Sequence, residues 1–484
     1  MRKKYCIIFI LICLLLVGCS GADNGGEAIL PNGFSGNEFL ELNETGFIDT
    51  NKNNKVNLSL DSSNASYSFI RNSINNNHFI NKNAVNIEQM LNYFNYSYVN
   101  DTEEQLASFM EIGACPWNQD NYLLSVAVKA KELQINNQTP SNFVFLLDTS
   151  GSMNQADKLP LMQNAFKLLI DNLGDNDRVS IVTYAGGQHV LLSGAYGSEK
   201  TKISAVINDL EASGSTAGSY GIQKAYEIAK QYYIEGGNNR IFLATDGDFN
   251  VGITDVNELN SFISSKRDEG IYLSCLGFGY GNLSSATMDT LAQNGNGNYY
   301  YIDSILQAQK VFVSELGGTL QTVAKDTKVQ VEFNADVVEK YRVVGYENKI
   351  LTDDQFDNNN TDAGEIGAGH TTVVIIEFSL RDLDYDGYNI ASCILRYKDA
   401  LNNEVDKEII NRCSNISTNP SLDFIFQASI CEFGLVLRNS EYKANASSIA
   451  VYNRLNKEEF KYDIYRREFI TLVDTYNRNN QQIQ

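Results

Sequence analysis

Five short oxygen-bearing side chains stand where apolar runs end or helical patterns begin. They are Asp148, Ser150, Ser152, Thr216 and Asp246. Carboxylate and hydroxyl oxygens, without histidine or cysteine, suit a hard divalent cation. Two carboxylates and three hydroxyls leave coordination positions for water and for one ligand from outside. The set predicts a cation site that binds a partner's carboxylate, with Mg²⁺ as the expected metal and Ca²⁺ or Mn²⁺ as alternatives.

Alternating buried strands and amphipathic helices between residues 142 and 325 must position these side chains. Continuous apolar runs of strand length end at Asp148 and just before Asp246, and apolar residues recur at helical spacing over 159–173. A last helix is predicted from Ile305 to about Val323. Such alternation predicts a parallel, doubly wound sheet. Ligands of these sheets bind at the carboxyl ends of the strands, so the two aspartates are expected at one edge.

On this scaffold the sequence resembles the von Willebrand factor type A (VWA) family and its metal-ion-dependent adhesion site (MIDAS). The family pattern is DxSxS, then a threonine, then an aspartate in a TDG turn, and the five residues above match it in that order. The resemblance implies that Ser150, Ser152 and Thr216 contact the metal, while Asp148 and Asp246 hold it directly or through water. One serine-rich turn alone is more often a helix cap. Five matches on an alternating scaffold favour the metal site.

Strand-like alternation flanks this domain on both sides. Apolar residues alternate with other side chains in 124–128 before it and in 329–333 after it, which indicates half-buried strands. We therefore predict a β-sandwich built from both flanks, with the VWA domain inserted between two of its strands. Helical periodicity over 423–476 predicts a small C-terminal helical cap. The fold class is thus α/β, a Rossmann-like VWA domain within a flanking β-sandwich, followed by a helical segment.

The flanks resemble those of a subfamily of bacterial VWA lipoproteins, which have an N-terminal VWA-associated region and a C-terminal domain of unknown function. The resemblance rests on segments 84–94, 117–133, 365–370 and 423–438. Five divisions of the chain follow. They are a lipoprotein signal peptide (1–18), a flexible tether (19–55), the VWA-associated region (56–140), the VWA domain (141–325) and a β-rich plus helical C-terminal domain (326–484).

The N-terminus has the charge order of an export signal. Arg2, Lys3 and Lys4 precede an apolar run from Tyr5 to Val17, which is too short to span a bilayer comfortably. The run ends just before Cys19 in a sequence that resembles the lipobox of bacterial lipoproteins, in which the cysteine is lipidated. An ordinary secretion signal that happens to contain a cysteine is the alternative. The expected location is the cell membrane or outer membrane, with the lipid-anchored body on the periplasmic or surface side.

Composition excludes several classes of function. The 484 residues include 59 acidic and 38 basic side chains, a net charge of −21. A phosphate backbone would repel so acidic a protein, and nucleic-acid binding is therefore not expected. The hydrophobic fraction of 43% suffices for ordinary cores. His78, His189 and His370 are far apart and no HExxH motif exists, which disfavours a zinc hydrolase.

Two of the cysteines that follow Cys19 could form a disulfide. Cys393 and Cys413 flank two strand-like runs, 394–398 and 405–411. A hairpin centred on Asn403 would place the two cysteines opposite each other, which would permit a cross-strand bond, whereas a shift of one residue would turn them apart.

Three functional hypotheses remain open. The leading one is a non-enzymatic, lipid-anchored protein whose cation accepts a glutamate or aspartate from a protein partner. The second is a scaffold for envelope assembly that needs no metal, and partners that survive EDTA would favour it. The third is a metal-dependent hydrolase, although no nucleophile–base pair stands at motif spacing.

Overall fold

The computed structural model describes residues 39–132, 140–185, 187–214, 221–247, 256–281, 284–314, 322–359, 361, 363–382, 387–402 and 405–481. Its strands are, in chain order, β1 (Ile48–Asp49), β2 (Lys55–Ser59), β3 (Leu106–Ala114), β4 (Tyr122–Ala130), β5 (Ser141–Asp148), β6 (Arg178–Tyr184), β7 (Gln188–Tyr196), β8 (Asn238–Thr245), β9 (Ile271–Phe278), β10 (Tyr299–Ile302), β11 (Thr322–Phe333), β12 (Val338–Val344), β13 (Ile350–Leu351), β14 (Gly364–Gly367), β15 (Thr371–Leu380), β16 (Ala391–Asp399) and β17 (Val405–Cys413). Its α-helices are α1 (Ala65–Asn75), α2 (Ile87–Asn92), α3 (Leu159–Asp171), α4 (Lys200–Asn208), α5 (Gly221–Gln231), α6 (Val256–Asp268), α7 (Ser285–Asn294), α8 (Ile305–Gln309), α9 (Asp353–Asp357), α10 (Leu422–Arg438), α11 (Ser448–Leu455) and α12 (Ile464–Gln481).

A six-stranded sheet with the order β10-β9-β8-β5-β6-β7 forms the central domain. All neighbours in it are parallel except β7, which pairs antiparallel with β6 at the edge. Parallel strands that are covered on both faces consist of continuous apolar residues, and every side chain of β5 from Phe143 to Leu147 is buried. The predicted doubly wound α/β domain is confirmed.

Helices cover both faces of this sheet. Helices α3, α4 and α8 pack on the face that carries Phe143 and Phe145. Helices α5, α6 and α7 pack on the face that carries Val144 and Leu146. The helices therefore cover the faces of the sheet and not the edge at which the strands end and the connecting loops begin.

Two antiparallel sheets form a β-sandwich from the chain on both sides of the central domain. One has the order β1-β12-β15-β4-β3, and the other has the order β13-β2-β11-β16-β17, with β14 also paired to β11. Val126 and Val128 of β4 share the core between the sheets with Val329 and Val331 of β11. Since β4 precedes the central domain and β11 follows it, the predicted insertion between two sandwich strands is confirmed.

A layer of helices covers the outer face of the sheet that contains β4. Helices α10, α11 and α12 supply the predicted C-terminal cap, and α1 and α2 join it from the N-terminal flank. Leu123 and Ala127 of β4 lie in this second core, with Phe426 and Phe469 from the helices. The prediction that β4 is half-buried is therefore wrong, because the helical layer buries its second face. None of the helices in the described ranges has the length and apolar character of a membrane span.

Two predicted boundaries are wrong. The chain predicted as one helix over 305–323 is α-helical over Ile305–Gln309 and π-helical over Lys310–Ser314, and β11 has already begun at Thr322. Residues 315–321 lie outside the described part of the chain, and pairing of Thr322 with Gly367 of β14 draws the end of the predicted helix into the sandwich. The predicted tether over 19–55 is wrong at its C-terminal end, because Ile48 of β1 pairs with Tyr341 of β12.

The predicted hairpin of β16 and β17 exists, but its register differs from the prediction. Cys393 pairs with Asn411, and Cys413 pairs with Ala391. The pairing centres on Asn402, one residue earlier than assumed, so the two cysteines are offset along the ladder by two residues. Both thiols are free. The disulfide that a hairpin centred on Asn403 would permit is therefore not formed, because the one-residue shift left open by the sequence moves the two cysteines out of opposition.

Candidate metal centre

The ends of β5 and β8 bring two aspartates to one edge of the central sheet. β5 ends at Asp148, and β8 ends at Thr245, directly before Asp246. The strands are parallel neighbours, in which Leu147 pairs with Ala244. Both carboxylates are buried, since Asp148 is 0% and Asp246 is 2% exposed. The structure thus places both aspartates at the edge where doubly wound sheets bind ligands.

Hydrogen bonds orient both oxygens of the Asp148 carboxylate. Its Oδ1 accepts the backbone N–H of Ser150 at 2.8 Å, and its Oδ2 accepts the hydroxyl of Thr245 at 3.0 Å. Burial raises the pKa of Asp148 above its ordinary value, while the bonds from Ser150 and Thr245 act against that increase. A cation beside this carboxylate would favour its ionised form in the same way.

The two serines follow within one short turn. After Asp148 the chain leaves the sheet, and Gly151–Met153 forms a 3₁₀ turn. The Oγ atoms of Ser150 and Ser152 lie 2.9 Å apart. Because the backbone of Ser150 is bonded to Asp148, the turn gathers one carboxylate and two hydroxyls into one small region.

The segment that leads to Thr216 approaches this turn. The N–H of Ser213 donates to the carbonyl of Thr149 at 2.8 Å, and the N–H of Gly151 donates to the carbonyl of Gly214 at 3.1 Å. Thr216 itself lies outside the described residues, so its role as a metal ligand stays a prediction.

Sequence reasoning missed Lys158, whose ammonium group lies within this cluster. Its Nζ donates to Asp246 Oδ2 at 2.8 Å and to the carbonyl oxygen of Ser152 at 3.1 Å. Both charged side chains are buried, with relative exposures of 6% for Lys158 and 2% for Asp246. No motif assigns a lysine to this position, and the 88 residues that separate it from Asp246 hide the pair from any local pattern.

The donor set fits a hard divalent cation. Asp148, Ser150, Ser152 and Asp246 offer only oxygen, which Mg²⁺, Ca²⁺ and Mn²⁺ prefer. Among the described residues, no group of three or more His, Cys, Asp or Glu side chains could hold a metal. Hydroxyl groups and water must therefore complete any coordination here.

A groove of about 600 Å³ opens at the same edge of the central sheet, and Asp157, the residue before Lys158, is part of its lining. Asp157, Tyr280 and Asp303 line it from loops that follow β5, β9 and β10. Arg71 and Asn72 of α1 line it from the N-terminal flank. This groove is therefore built by the central domain and its flank together.

Comparison with known proteins identifies the family. A family model described as von Willebrand factor type A domain matches residues 142–314, and one described as von Willebrand factor matches 34–125. A model for the C-terminal part of uncharacterized protein YfbK matches 318–478. The protein of that name from Escherichia coli (strain K12) is 38% identical over 444 residues, which cover 86% of this chain and 77% of YfbK. The chain belongs to the YfbK family of VWA proteins.

Other similarities are confined to smaller parts or are remote. Uncharacterized protein sll0103 of Synechocystis sp. (strain ATCC 27184 / PCC 6803 / Kazusa) is 28% identical over 192 residues, covering 39% of this chain and 44% of that protein. A solved von Willebrand factor type A structure from Catenulispora acidiphila has 15% identity and a TM-score of 0.39, covering 67% of this chain and 77% of that one. The VWA match contains every described residue of the metal centre. VWA domains mediate protein interactions, so family membership indicates a role in protein binding.

Proposed function

We propose that this YfbK-family chain is a lipid-anchored cell-envelope protein that binds a protein partner through a divalent cation. The convergence of Asp148, Ser150, Ser152 and Asp246 at one edge of the sheet carries the proposal. These residues, together with Thr216, would hold the cation and leave one position for a glutamate or aspartate of the partner. Mg²⁺ is the expected metal, with Ca²⁺ or Mn²⁺ as alternatives.

The charge of the molecule explains why a cation would serve this contact. The full sequence has a net charge of −21, and so acidic a protein repels an acidic partner at long range. A divalent cation at the end of β5 would reverse that repulsion locally, where the partner's carboxylate enters. The groove lined by Asp157, Tyr280 and Asp303 offers room beside the cation for the rest of the partner's segment.

The anchor in this proposal rests on the sequence. Arg2 to Lys4, the apolar run from Tyr5 to Val17 and Cys19 have the order of a lipoprotein signal. These residues lie outside the described part of the chain. Lipidation of Cys19 would hold the protein at the cell membrane or outer membrane, on the periplasmic or surface side.

Crosslinking in native envelopes tests the function. The full chain is crosslinked with excess Mg²⁺ or with EDTA, and the products are identified by mass spectrometry. A specific partner is expected with Mg²⁺, and it is expected to disappear with EDTA and with Asp148→Ala or Ser152→Ala. Cys19→Ser is expected to move the protein from the membrane fraction to the soluble fraction.

Asp175→Ala is the matched control, because it removes an exposed carboxylate of the same domain. It should leave the crosslinked partner unchanged. A partner retained both in EDTA and in Asp148→Ala would contradict the cation-dependent contact and would favour a metal-independent assembly scaffold.

A further inference from the structure

Lys158 contacts the proposed metal centre at two points. Its ammonium group donates to one oxygen of Asp246 and to the carbonyl oxygen of Ser152. A carboxylate oxygen and a carbonyl oxygen are also the kinds of ligand that a hard metal cation takes. The ammonium group therefore places a positive charge beside oxygens that could otherwise bind the metal.

The backbone around Lys158 holds this charge in place. Lys158 immediately precedes α3, and its carbonyl accepts the N–H of Met162 at 2.8 Å. Its aliphatic stem lies against Gly279, where an added Cβ would come within 2.5 Å of Lys158 Cε. Gly279 also has φ +72°, which favours glycine. A stem enclosed in this way keeps the ammonium group directed at Asp246.

The charge of Lys158 changes the electrostatics of the centre. Asp148 and Asp246 together supply two negative charges, and the buried ammonium group offsets one of them. Within the described residues, Asp246 is the one carboxylate that forms an ion pair with Lys158. A divalent cation that approaches Asp246 is repelled by the ammonium group at short range, in surroundings where water screens poorly.

We propose that Lys158 is a tethered cation that competes with the divalent metal for Asp246 and thereby keeps the metal affinity of the centre low. This inference rests on the proposed function. In that arrangement, the partner's carboxylate replaces the negative charge that Lys158 neutralises. Metal and partner therefore bind cooperatively, each increasing the affinity for the other. Lys158 is a positioning residue, since it acts through Asp246.

Calorimetric titration of the full chain with Mg²⁺ and with Mn²⁺ tests the inference. Lys158→Met removes the charge and keeps an unbranched side chain of similar length. We expect this variant to bind the metal at least about tenfold more tightly than the parent, because the repulsion is lost. Lys167→Met is the matched control, since it removes the same charge from α3, about 13 Å further along the helix that Lys158 precedes, and it should bind as the parent does.

Thermal unfolding supplies a second readout, in which the response of Tm to Mg²⁺ is the part that a purely structural role would not produce. In EDTA, Lys158→Met leaves the buried Asp246 without its cation, so its Tm should fall below that of the parent. Excess Mg²⁺ should raise the Tm of this variant more than it raises that of the parent. Lys158→Gln serves the same purpose if the methionine variant does not fold.

The outcomes separate this inference from the proposed function. Metal binding by the parent with equal or weaker binding by both Lys158 variants would overturn the inference and leave the metal centre intact. No binding by the parent or by either Lys158 variant at millimolar metal would overturn the metal centre, and the inference with it.

Discussion

At the scale of single residues, the metal centre depends on groups that orient its ligands. Both carboxylate oxygens of Asp148 accept hydrogen bonds within the protein, one from the Ser150 backbone and one from the Thr245 hydroxyl. Thr245 also accepts the N–H of Gly247 at 3.2 Å, so one hydroxyl connects the ends of β5 and β8. Hydrogen-bonding neighbours of this kind restrict the orientation of a side chain that binds a metal.

Replacement of Thr245 by valine is expected to weaken metal binding. The side chain keeps its shape, but Asp148 Oδ2 loses its donor and is less well oriented. Loss of such a partner typically costs about 10–100-fold in metal affinity, and calorimetry with Mg²⁺ would measure the change. Thr290→Val is the control, because that hydroxyl donates to the carbonyl of Ala286 within α7. An unchanged affinity in Thr245→Val would show that the turn alone orients Asp148.

At the scale of elements, α1 joins the flank to the central domain. Ala65 and Phe69 pack into the core on the central sheet, whereas Tyr67 and Ile70 pack into the helical layer. Between these cores, Arg71 donates from Nε and Nη2 to both oxygens of Asp303, which follows β10, at 2.7 and 2.5 Å. The helix therefore fixes the wall of the groove that Arg71 and Asp303 line.

Replacement of Arg71 by methionine is expected to destabilise the protein. The ion pair with Asp303 is buried, with side-chain exposures of 4% and 5%, and Arg71 also pairs with Glu468 of α12 at 3.3 Å. Removal of Arg71 leaves the buried Asp303 carboxylate uncompensated, which costs about 3–5 kcal/mol. Urea unfolding followed by circular dichroism would measure this loss.

The matched control for Arg71 is an exposed arginine. Arg478 pairs with Asp474 on the surface of α12, with a side-chain exposure of 64%. Its replacement by methionine should change the free energy of unfolding by less than about 1 kcal/mol. Equal losses in the two variants would contradict a special role for Arg71.

At the scale of the whole molecule, polar contacts connect the inserted domain to the sandwich. Glu365 of β14 accepts from Asn296, in the loop after α7, at 2.6 Å and from Thr322 of β11 at 3.0 Å. Burial raises the pKa of Glu365 to about 7, although Lys325, Thr322 and Arg240 act in the opposite direction. Ionisation of this carboxyl is therefore unfavourable in the folded protein, because burial disfavours its charged form.

The raised pKa predicts that stability falls as pH increases. An unfolded glutamate has a pKa of about 4.3, so between that value and about 7 the folded state binds the extra proton. The parent should lose up to about 4 kcal/mol of stability over this window. Glu365→Gln should match the parent near pH 4.5 and exceed its stability at pH 8, as urea unfolding at both pH values would show.

An exposed glutamate supplies the control for this pH dependence. Glu459 is exposed, and Glu459→Gln should differ from the parent by the same amount at both pH values. If the difference between Glu365→Gln and the parent is also independent of pH, ionisation of Glu365 does not oppose folding.

Local patterns predicted the scaffold and the composition of the candidate site. The apolar run of β5 that ends at Asp148 and the run of β8 that ends before Asp246 identified two buried parallel strands, because their periodicity is a local property. The alternation around Val126 and Val329 identified two strands of the sandwich in the same way. Helix α1 was missed because its sequence, ASYSFIRNSIN, contains many polar residues and becomes a helix through packing against two cores.

The sequence could not reveal contacts between residues that are far apart in the chain but close in the folded structure. The contact of Lys158 with Asp246 and the contact of Arg71 with Asp303 join residues that are 88 and 232 positions apart. The predicted register of the β16–β17 hairpin was wrong, because the centre of its turn differs by one residue from the prediction. Local periodicity acts over a few residues. It therefore determines which residues form strands and which oxygen-bearing side chains lie at the ends of those strands. Packing between layers sets which charge meets which carboxylate, and here it places a lysine at the metal centre.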